Sequence, residues 1–267
     1  MRKFLLFLLV FTSFHCYSQK VSVCSWNLKD FGKSKSNETI EIIAKTLKSF
    51  DIVAIQEVVA GHGGPQAVAK LADELNRTGA KWEYVISNAT SGSAYKSERY
   101  AFLWKTSKVK KVGAPWLENK YGLLIDREPF YCRFKIADKT FTLVSFHAIT
   151  KSKQPETEIK YFKFLPELYP KDNLIFCGDF NIPQSHSVFF PLRKMGYISS
   201  MVNQKTSLRQ KCINNDCLAS EYDNFFFNSS KVKLISSGII HFYKQFEHLK
   251  LARTVSDHVP IFLNFSL

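Results

Sequence analysis

The sequence of 267 residues contains no Cys-x-x-Cys pair, no internal repeat and no low-complexity run. The first absence argues against a structural zinc site, and the other two argue against repeat and disordered architectures. No stretch rich in proline, glycine and serine divides the chain. We therefore predict a single domain over residues 19–267, large enough to bury a substantial core.

Acidic residues are scarce: 23 Asp and Glu stand against 37 Lys and Arg, which gives a formal net charge of +14. Loss of Arg2 and Lys3 with an N-terminal leader would leave 14 − 2 = +12. A protein this basic is attracted to polyanions, which include nucleic acid, anionic lipid and acidic polysaccharide. Charge does not choose among these three, but it argues against a neutral small-molecule substrate.

Long apolar runs are also missing. The eight residues from Phe4 to Phe11 are too few to cross a bilayer, which takes roughly 20. They follow two basic residues and precede small residues at Cys16 and Ser18, a pattern typical of a signal peptide over residues 1–18. We expect an exported protein, extracellular or periplasmic, without stable membrane insertion. A membrane anchor and a lipidated Cys16 are the alternatives, disfavoured by the short run and by the Ser-Phe-His context.

Five cysteines remain after residue 18, so at least one thiol stays unpaired in an oxidising destination. Cys212 and Cys217 flank a short polar Ile-Asn-Asn-Asp loop and are predicted to form a local disulfide. Cys24 and Cys177 lie in apolar, strand-like runs, which indicates buried and inert thiols.

Strand-like apolar runs recur along the chain, and several are continuous, which indicates strands covered on both faces. They are Val21–Trp26, Asp51–Gln56, Trp82–Ile86, Ala101–Lys105, Phe130–Ile136, Phe141–Phe146, Asn173–Cys177, Phe225–Phe227 and Pro260–Phe265. Helical patterns cover Asn37–Phe50 (with Asn37 as N-cap), Pro65–Arg77 and Thr157–Leu168. An early β-α-β rhythm gives way to strand-rich sequence, so we predict an α/β fold with a two-sheet β-sandwich flanked by helices.

Polar residues adjoin these apolar runs at five places that are far apart in the sequence. The residues are Asn27, Glu57, His147, the triplet Asp179-Phe180-Asn181 and the triplet Ser256-Asp257-His258. Any one of them alone is typical of a turn or a solvated strand end. Together, in a fold that gathers strand ends at one edge, they indicate a catalytic site.

The order and spelling of these segments resemble the endonuclease/exonuclease/phosphatase superfamily. The general marks are Trp26-Asn27-Leu28, Ile55-Gln56-Glu57-Val58, Gly178-Asp179-Phe180-Asn181 and Ser256-Asp257-His258-Val259-Pro260. Three further stretches are similar to the deoxyribonuclease I branch: Glu98-Arg99-Tyr100, Arg127-Glu128-Pro129 and Tyr222-Asp223. The resemblance extends from Val21 to the C-terminus. It implies a four-layer deoxyribonuclease I-like fold and a secreted, metal-dependent endonuclease that cuts DNA with low sequence specificity. A monomer is expected, and the sequence indicates no protein partner.

Hydrolysis of a phosphodiester needs charge neutralisation, activation of water and protonation of the leaving oxygen. Glu57 is the predicted main ligand of Mg²⁺ or Mn²⁺, since hard cations prefer carboxylate oxygen. Asn27 and Asp257 would complete or border that site, and Asp179 would hold a second ion or help activate water. Glu128 is a candidate ligand for the structural Ca²⁺ that the resemblance implies.

The resemblance also implies two carboxylate–histidine pairs, in which Glu98 orients His147 and Asp223 orients His258. One histidine would act as base and the other as acid, and the sequence does not say which. Asn181 carries two amide donors that suit a non-bridging phosphate oxygen.

By the same resemblance, four residues are candidate contacts to DNA: Lys29, Tyr95, Lys96 and Arg127. Such contacts position a duplex without specifying its bases. The chain departs from the branch by one extra residue between Lys96 and Glu98, and it lacks the arginine that usually follows Glu57.

Two other functions are consistent with parts of the sequence. A sphingomyelinase-like or inositol-phosphate hydrolase would use the same motifs, and the aromatic stretch Ile239–Phe246 would then be a membrane-docking hairpin instead of an ordinary rim segment. A catalytically silent binding module would lack at least one catalytic position, and none is missing.

Overall fold

The structure of the protein, a computed structural model, describes residues 20–92 and 97–267. The signal peptide predicted over residues 1–18 lies outside the described residues, as do Tyr95 and Lys96. The strands are β1 (Lys20–Phe31), β2 (Ile52–Val59), β3 (Trp82–Ile86), β4 (Glu98–Lys105), β5 (Lys110–Leu117), β6 (Phe130–Ile136), β7 (Lys139–His147), β8 (Leu174–Asp179), β9 (Tyr197–Ser199), β10 (Leu208–Ile213), β11 (Asp216–Leu218), β12 (Asp223–Asn228), β13 (Lys233–Ile239) and β14 (Ile261–Ser266). The α-helices are α1 (Asn37–Leu47), α2 (Gly63–Asn76), α3 (Glu156–Ile159), α4 (Leu165–Leu168), α5 (Phe190–Lys194) and α6 (Leu249–Val255).

The described strands form two six-stranded sheets and one small hairpin. The first sheet has the order β13-β14-β1-β2-β4-β3, and the second has the order β5-β6-β7-β8-β12-β9. Each sheet contains one parallel pair, β1 with β2 and β7 with β8, among antiparallel neighbours. Strands β10 and β11 pair with each other outside both sheets.

The two sheets pack face to face and are covered by helices on their outer sides. Val23 and Phe102 of the first sheet meet Leu143 and Phe225 of the second in one buried cluster. Helices α1 and α2 pack on the outer face of the first sheet, and α3, α4 and α5 lie over the second. This arrangement confirms the predicted two-sheet sandwich flanked by helices.

The helix ends differ from the prediction. The N-cap of α1 is Ser36, whose Oγ accepts a hydrogen bond from Thr39 N at 3.2 Å, so the prediction of Asn37 as N-cap is wrong. The helix predicted over residues 157–168 is divided into α3, a 3-10 segment over Lys160–Phe164, and α4. Pro166 has no N–H and crowds the carbonyl one turn earlier, which prevents one continuous helix.

The predicted disulfide between Cys212 and Cys217 is present and closes the β10–β11 hairpin. The other cysteines of the described part, Cys24, Cys132 and Cys177, are buried and free. Burial raises the pKa of the Cys177 thiol to about 12, which keeps it protonated and inert.

No helix formed by the described residues is both long and apolar enough to cross a membrane. The aromatic stretch Ile239–Phe246 is anchored by Phe242, whose buried ring lies edge-on to Trp26 with centroids 4.8 Å apart. That contact, and the 3-10 helix over Phe242–Gln245, agree with an ordinary rim segment.

Candidate active site

Polar strand ends from both sheets meet at one edge of the sandwich. In the second sheet, His147 lies opposite Asp179 across β7 and β8, and Asp179 lies opposite Asp223 across β8 and β12. In the first sheet, β1 and β2 run parallel and therefore end together, and β4 begins beside the end of β2, with Glu98 opposite Val59.

Strand alternation turns these side chains into the space between the sheets. In β7, Phe141 and Leu143 enter the inter-sheet core, so His147, which shares their parity, faces the same way. In β8, Asp179 is four residues after the core residue Ile175 and therefore faces the same side of the sheet. In the same way, Asn27, Glu98 and Asp223 are an even number of residues from Val23, Phe102 and Phe225 in their own strands. All three therefore face inward with these core residues.

Glu57 breaks this rule. Val53 and Ile55 of β2 face the outer helices, so alternation alone would place Glu57 there too. Instead its backbone is left-handed, with φ of 60°, and the pairing of β2 with β4 shifts register between Ile55 and Val58. The irregularity brings the Glu57 carboxylate to Asn27, whose Nδ2 donates to Oε1 at 3.0 Å. A left-handed non-glycine residue is strained, and such strain is often found at functional sites.

Glu98 and His147 form a buried pair. The imidazole Nδ1 lies 2.9 Å from Glu98 Oε2, which leaves Nε2 directed toward Glu57 Oε1 at 3.8 Å. Arg127 fixes the pair from behind, because its Nη1 donates to Glu98 Oε2 at 3.3 Å and its Nε donates to the His147 carbonyl at 2.9 Å. The guanidinium also donates to the Ala148 carbonyl.

Asp223 and His258 form a second buried pair with the same design. His258 Nδ1 lies 2.7 Å from Asp223 Oδ2. Thr206 Oγ1 donates to that same carboxylate oxygen at 2.6 Å and accepts from the Asp223 N–H at 2.9 Å. The threonine therefore holds the carboxylate in the orientation that the imidazole needs.

The two imidazoles face each other across Asp179. The Nε2 atoms of His147 and His258 each lie 3.6 Å from Asp179 Oδ2. Gly178 makes this approach possible: its φ is 129°, and a Cβ there would collide with the Phe146 carbonyl. Glycine at this position thus lets β8 lie close against β7 and sets Asp179 beside His147.

Both histidines hold protons more strongly than free histidine. Burial lowers the pKa of His147, but the Glu98 carboxylate, supported by Asp179, raises it by more. For His258, burial acts in the same direction, and the carboxylates of Asp223 and Asp179 outweigh it, so its pKa lies well above the ordinary value. A carboxylate at each Nδ1 also fixes the tautomer and leaves Nε2 to exchange protons.

The residues expected to hold a metal ion offer oxygen ligands that suit a hard cation. Asn27 Nδ2 donates to Glu57 Oε1 and, at 3.3 Å, to Asp179 Oδ2, so the three side chains are mutual neighbours. The buried Asn27 Oδ1 accepts a hydrogen bond from no described residue. An unpaired buried acceptor beside two carboxylates fits a site for a divalent cation.

A second set of candidate ligands lies on the other side of Asp179. One ligand atom each from Asp179, Asp223 and His258 lie within 4.8 Å of one another. Asp223 already accepts hydrogen bonds from His258 and Thr206, so we favour the Asn27–Glu57 side for a cation.

Asp257 and Lys29 stand at the margin of this site. Asp257 Oδ2 lies 3.2 Å from Arg253 Nη2 and 3.8 Å from Lys29 Nζ. The Asp257 carboxylate thus already forms ion pairs with Arg253 and Lys29, and its role in bordering a metal ion stays a prediction. Lys29 is exposed at the end of β1, as a contact to phosphate requires.

Three other predicted residues have partners within the protein. Asn181 Nδ2 donates to the Ala148 carbonyl at 3.0 Å, which leaves its second amide hydrogen for a substrate oxygen. Arg127 lines the surface cleft that also contains Glu57, Glu98 and His147. Its guanidinium already donates hydrogen bonds to Glu98, His147 and Ala148, so its contact with phosphate stays a prediction. The Glu128 carboxylate accepts from Ser91 N at 2.9 Å and from Ser91 Oγ, so these oxygens brace a loop, and its role as a calcium ligand also stays a prediction.

Several residues that support the site had no role assigned from the sequence, although Tyr100 and Ser256 lie in its motifs. Thr206 braces Asp223, and Ser256 Oγ donates to the Asn27 carbonyl at 2.5 Å. Tyr100 accepts from the His147 N–H at 3.2 Å. Lys35 Nζ donates to the Thr254 and Val255 carbonyls at 2.9 and 2.8 Å, just before the segment that carries His258. These contacts join segments distant in sequence, so the spacing of residues does not predict them.

A four-layer sandwich that gathers paired histidines and oxygen groups suited to a cation at one edge has the form of a hydrolase. The chain belongs to the Endonuclease/Exonuclease/phosphatase family, whose sequence model matches residues 24–258.

Relatives in this family include deoxyribonucleases. The chain is 26% identical to a deoxyribonuclease of Thioalkalivibrio sp. (strain K90mix), over 91% of this chain and 70% of the relative. It is 29% identical to deoxyribonuclease gamma of Rattus norvegicus, over 90% of this chain and 82% of the relative.

Similar solved structures establish the same fold. A mannosyl-6-phosphatase of Bacteroides thetaiotaomicron aligns with a TM-score of 0.67 at 17% identity, covering 92% of this chain and 100% of that one. The human Nocturnin catalytic domain aligns with a TM-score of 0.66 at 16% identity, covering 92% and 94%. Proteins with different substrates therefore share this sandwich, and the fold alone does not select a substrate.

Proposed function

We propose that the protein is an exported, divalent-metal-dependent endonuclease that hydrolyses DNA phosphodiester bonds with low sequence specificity. The observation that carries this proposal is the pair of imidazole Nε2 atoms, each 3.6 Å from the same Asp179 oxygen and each backed by a carboxylate at Nδ1. Export is supported by the leader-like sequence over residues 1–18.

The geometry supports in-line hydrolysis. One histidine accepts a proton from the attacking water at its Nε2, and the other donates a proton from its Nε2 to the leaving oxygen. Asn181 donates its second amide hydrogen to a non-bridging oxygen. A divalent cation held by Asn27, Glu57 and Asp179 would neutralise charge on the phosphoryl group. Burial of both carboxylate–histidine pairs keeps the imidazoles oriented before substrate arrives.

DNA is favoured as substrate by charge and by kinship. The chain carries 14 more basic than acidic residues, and the Lys29 side chain, 42% exposed, lies at the margin of the site with its ammonium group 3.8 Å from Asp257. Two relatives that align over most of their length are named deoxyribonucleases. Contacts made to phosphates bind any sequence, which is the basis for the low specificity that we propose.

The substrate and the metal requirement are tested in one assay. Purified protein is incubated with supercoiled plasmid DNA, sphingomyelin vesicles or a phosphomonoester, each with Mg²⁺ or with excess EDTA. We expect nicked and then linear plasmid, inhibition by EDTA and recovery when Mg²⁺ or Mn²⁺ is restored. Cleavage should also weaken steeply as salt rises. Intact plasmid alongside hydrolysis of sphingomyelin or the monoester would refute the nuclease, and full activity in EDTA would refute the metal mechanism.

The pH dependence provides a test of the Asp223–His258 pair. Asp223 is the largest contributor that raises the pKa of His258, whereas burial lowers it. Asp223→Asn removes that charge and leaves the burial, so the pKa of His258 should fall. The limb of the kcat/KM profile that belongs to His258 should therefore move to lower pH, whether this histidine is the acid or the base.

The matched control is Asp172→Asn, which neutralises a carboxylate bound to Arg133 and Thr142, outside the site. Its pH profile should coincide with that of the parent protein. An Asp223→Asn profile with unmoved limbs would show that His258 does not titrate in the reaction.

A further inference from the structure

An exposed aromatic and basic surface lies apart from the catalytic residues, where the β5–β6 loop meets the segment between α3 and α4. We call it the aromatic–lysine surface, formed by Lys120, Tyr121, Leu123, Leu124, Lys160, Tyr161, Lys163 and Phe164. We propose that it docks the enzyme peripherally on an anionic lipid surface.

Apolar groups on this surface are presented to solvent by a well-anchored loop. Leu123 is 98% exposed, Leu124 is 51% exposed and Phe164 is 38% exposed. The loop is fixed on one side by Glu118, which accepts from the Lys120 N–H at 2.8 Å, and on the other by the buried Ile125. Leu123 therefore stands almost fully in solvent and Leu124 about half in solvent, which leaves an exposed apolar tip on a fixed loop.

Three aromatic rings lie beside the loop that carries the tip. Tyr121 is stacked between Tyr161 and Phe164, with centroid distances of 5.6 and 5.8 Å. Tyrosine and phenylalanine with adjacent aliphatic side chains suit the boundary between lipid headgroups and acyl chains.

Lysines surround the rings. The ammonium groups of Lys120, Lys160 and Lys163 lie over the three rings, at 5.7, 5.2 and 4.8 Å from the centroids of Tyr121, Tyr161 and Phe164. Residues 119–125 and 160–166 include no acidic side chain; among the carboxylates just outside them, Glu118 and Glu158 are buried and Glu167 is exposed. Positive charge at this boundary favours anionic headgroups over zwitterionic ones.

A bilayer fits this surface better than nucleic acid does. Bases bind to free aromatic faces, whereas these rings are stacked on one another and overlaid by lysines. Aliphatic tips such as Leu123 and Leu124 offer a nucleic acid neither stacking nor hydrogen bonds, but acyl chains accept them readily.

Docking there would bring the catalytic edge close to the membrane. Strand β6 begins at that edge, since Phe130 pairs with Ser145, two residues before His147. The Asp126 N–H, at the end of the loop, donates to Glu158, which also accepts from the Ile149 N–H beside the site.

Vesicle co-sedimentation tests the proposal independently of catalysis. The full protein is mixed with vesicles of phosphatidylcholine containing 30% phosphatidylserine, or of phosphatidylcholine alone. We expect binding to the anionic vesicles and little binding to the neutral ones. The double variant Leu123→Ser, Leu124→Ser should lose most of this binding. The triple variant Lys120→Gln, Lys160→Gln, Lys163→Gln should lose on the order of 100-fold in affinity, from three charges near an anionic surface.

The control is Leu234→Ser with Ile235→Ser, which removes two adjacent apolar side chains, 40% and 42% exposed, from the edge strand β13. It should bind anionic vesicles like the parent, and both double variants, which keep every charge, should cleave plasmid in solution at the parent rate. No binding to anionic vesicles, or a loss equal to that of the control, would overturn the proposal. Weaker binding to DNA with unchanged binding to vesicles would also overturn it and assign the surface to nucleic acid.

Discussion

Replacing His258 with alanine is expected to lower kcat for plasmid cleavage by about 10²–10⁴-fold, the usual contribution of a positioned acid or base. His147→Ala should have a loss of similar size, because the two Nε2 atoms stand in equivalent positions around Asp179. The double variant should be little worse than either single one, since one proton transfer has little value without the other.

The single-turnover rate of cleavage, with protein in saturating excess over DNA, measures this effect independently of DNA affinity. A gel-shift titration should show DNA affinity close to that of the parent, because neither imidazole is needed to attract phosphate. His186→Ala is the matched control: this histidine caps a short helix by accepting from the Val188 N–H at 3.2 Å, away from the catalytic pairs. Losses that add up fully in the double variant would contradict joint action, and parent-like cleavage by His258→Ala would refute the assignment.

Much of the site follows from rules that can be applied to the sequence. Asn27, His147 and Asp179 each follow an apolar run, and period-two alternation with inward-facing neighbours is enough to turn all three between the sheets. Parallel pairing within each sheet then brings such ends to the same edge.

Glu57 shows where those rules fail. The sequence predicts that the strand stops before Glu57, but β2 continues to Val59, and alternation within it predicts the outer face for Glu57. The left-handed backbone that turns it inward is stabilised by contacts made only in the folded state, such as the Asp30 N–H that donates to Glu57 Oε2 at 3.0 Å. Sequence patterns do not encode the energy of such a strained residue.

The sequence did not predict β5, β9, β10, β11 and β13, and β5, β9 and β13 lie at sheet edges. β13 lies at the edge of the first sheet, and its outer residues are largely exposed, so its sequence Lys233–Ile239 carries little apolar signal. The hairpin β10–β11 belongs to neither sheet and is closed by the Cys212–Cys217 disulfide. The role of Thr206 could not be predicted from the sequence either, because it depends on a tertiary hydrogen bond to Asp223.

The other large effect is expected at the metal site. Glu57→Gln keeps the shape of the side chain but removes its charge, and we expect affinity for Mg²⁺ or Mn²⁺ to fall by at least roughly 100-fold. Residues that merely orient ligands are already worth about 10–100-fold. Plasmid cleavage at low Mg²⁺ should fall in parallel.

Thermal unfolding separates this effect from catalysis. A cation that binds only the folded state stabilises it by about 2.7 kcal/mol at 100 times its Kd, so the parent Tm should rise on addition of Mg²⁺. In EDTA, Glu57→Gln should be somewhat less stable than the parent, because its amide NH2 would face either Asn27 Nδ2 or the Asp30 N–H, both of which donate to the Glu57 carboxylate. The Mg²⁺ effect is therefore measured as the change in Tm between EDTA and Mg²⁺ for each protein. The rise in Tm on adding Mg²⁺ should then be lost in this variant.

Glu167→Gln is the matched control, since it removes one exposed carboxylate from α4 and should keep the full rise in Tm with Mg²⁺. If Mg²⁺ raises the Tm of Glu57→Gln as much as that of the parent, the cation does not bind at Asn27 and Glu57. The alternative cluster of Asp179, Asp223 and His258 would then become the site to test, and Asp223→Asn would be the variant that loses the response. The two candidate sites are thus distinguished by which carboxylate controls the metal-dependent Tm.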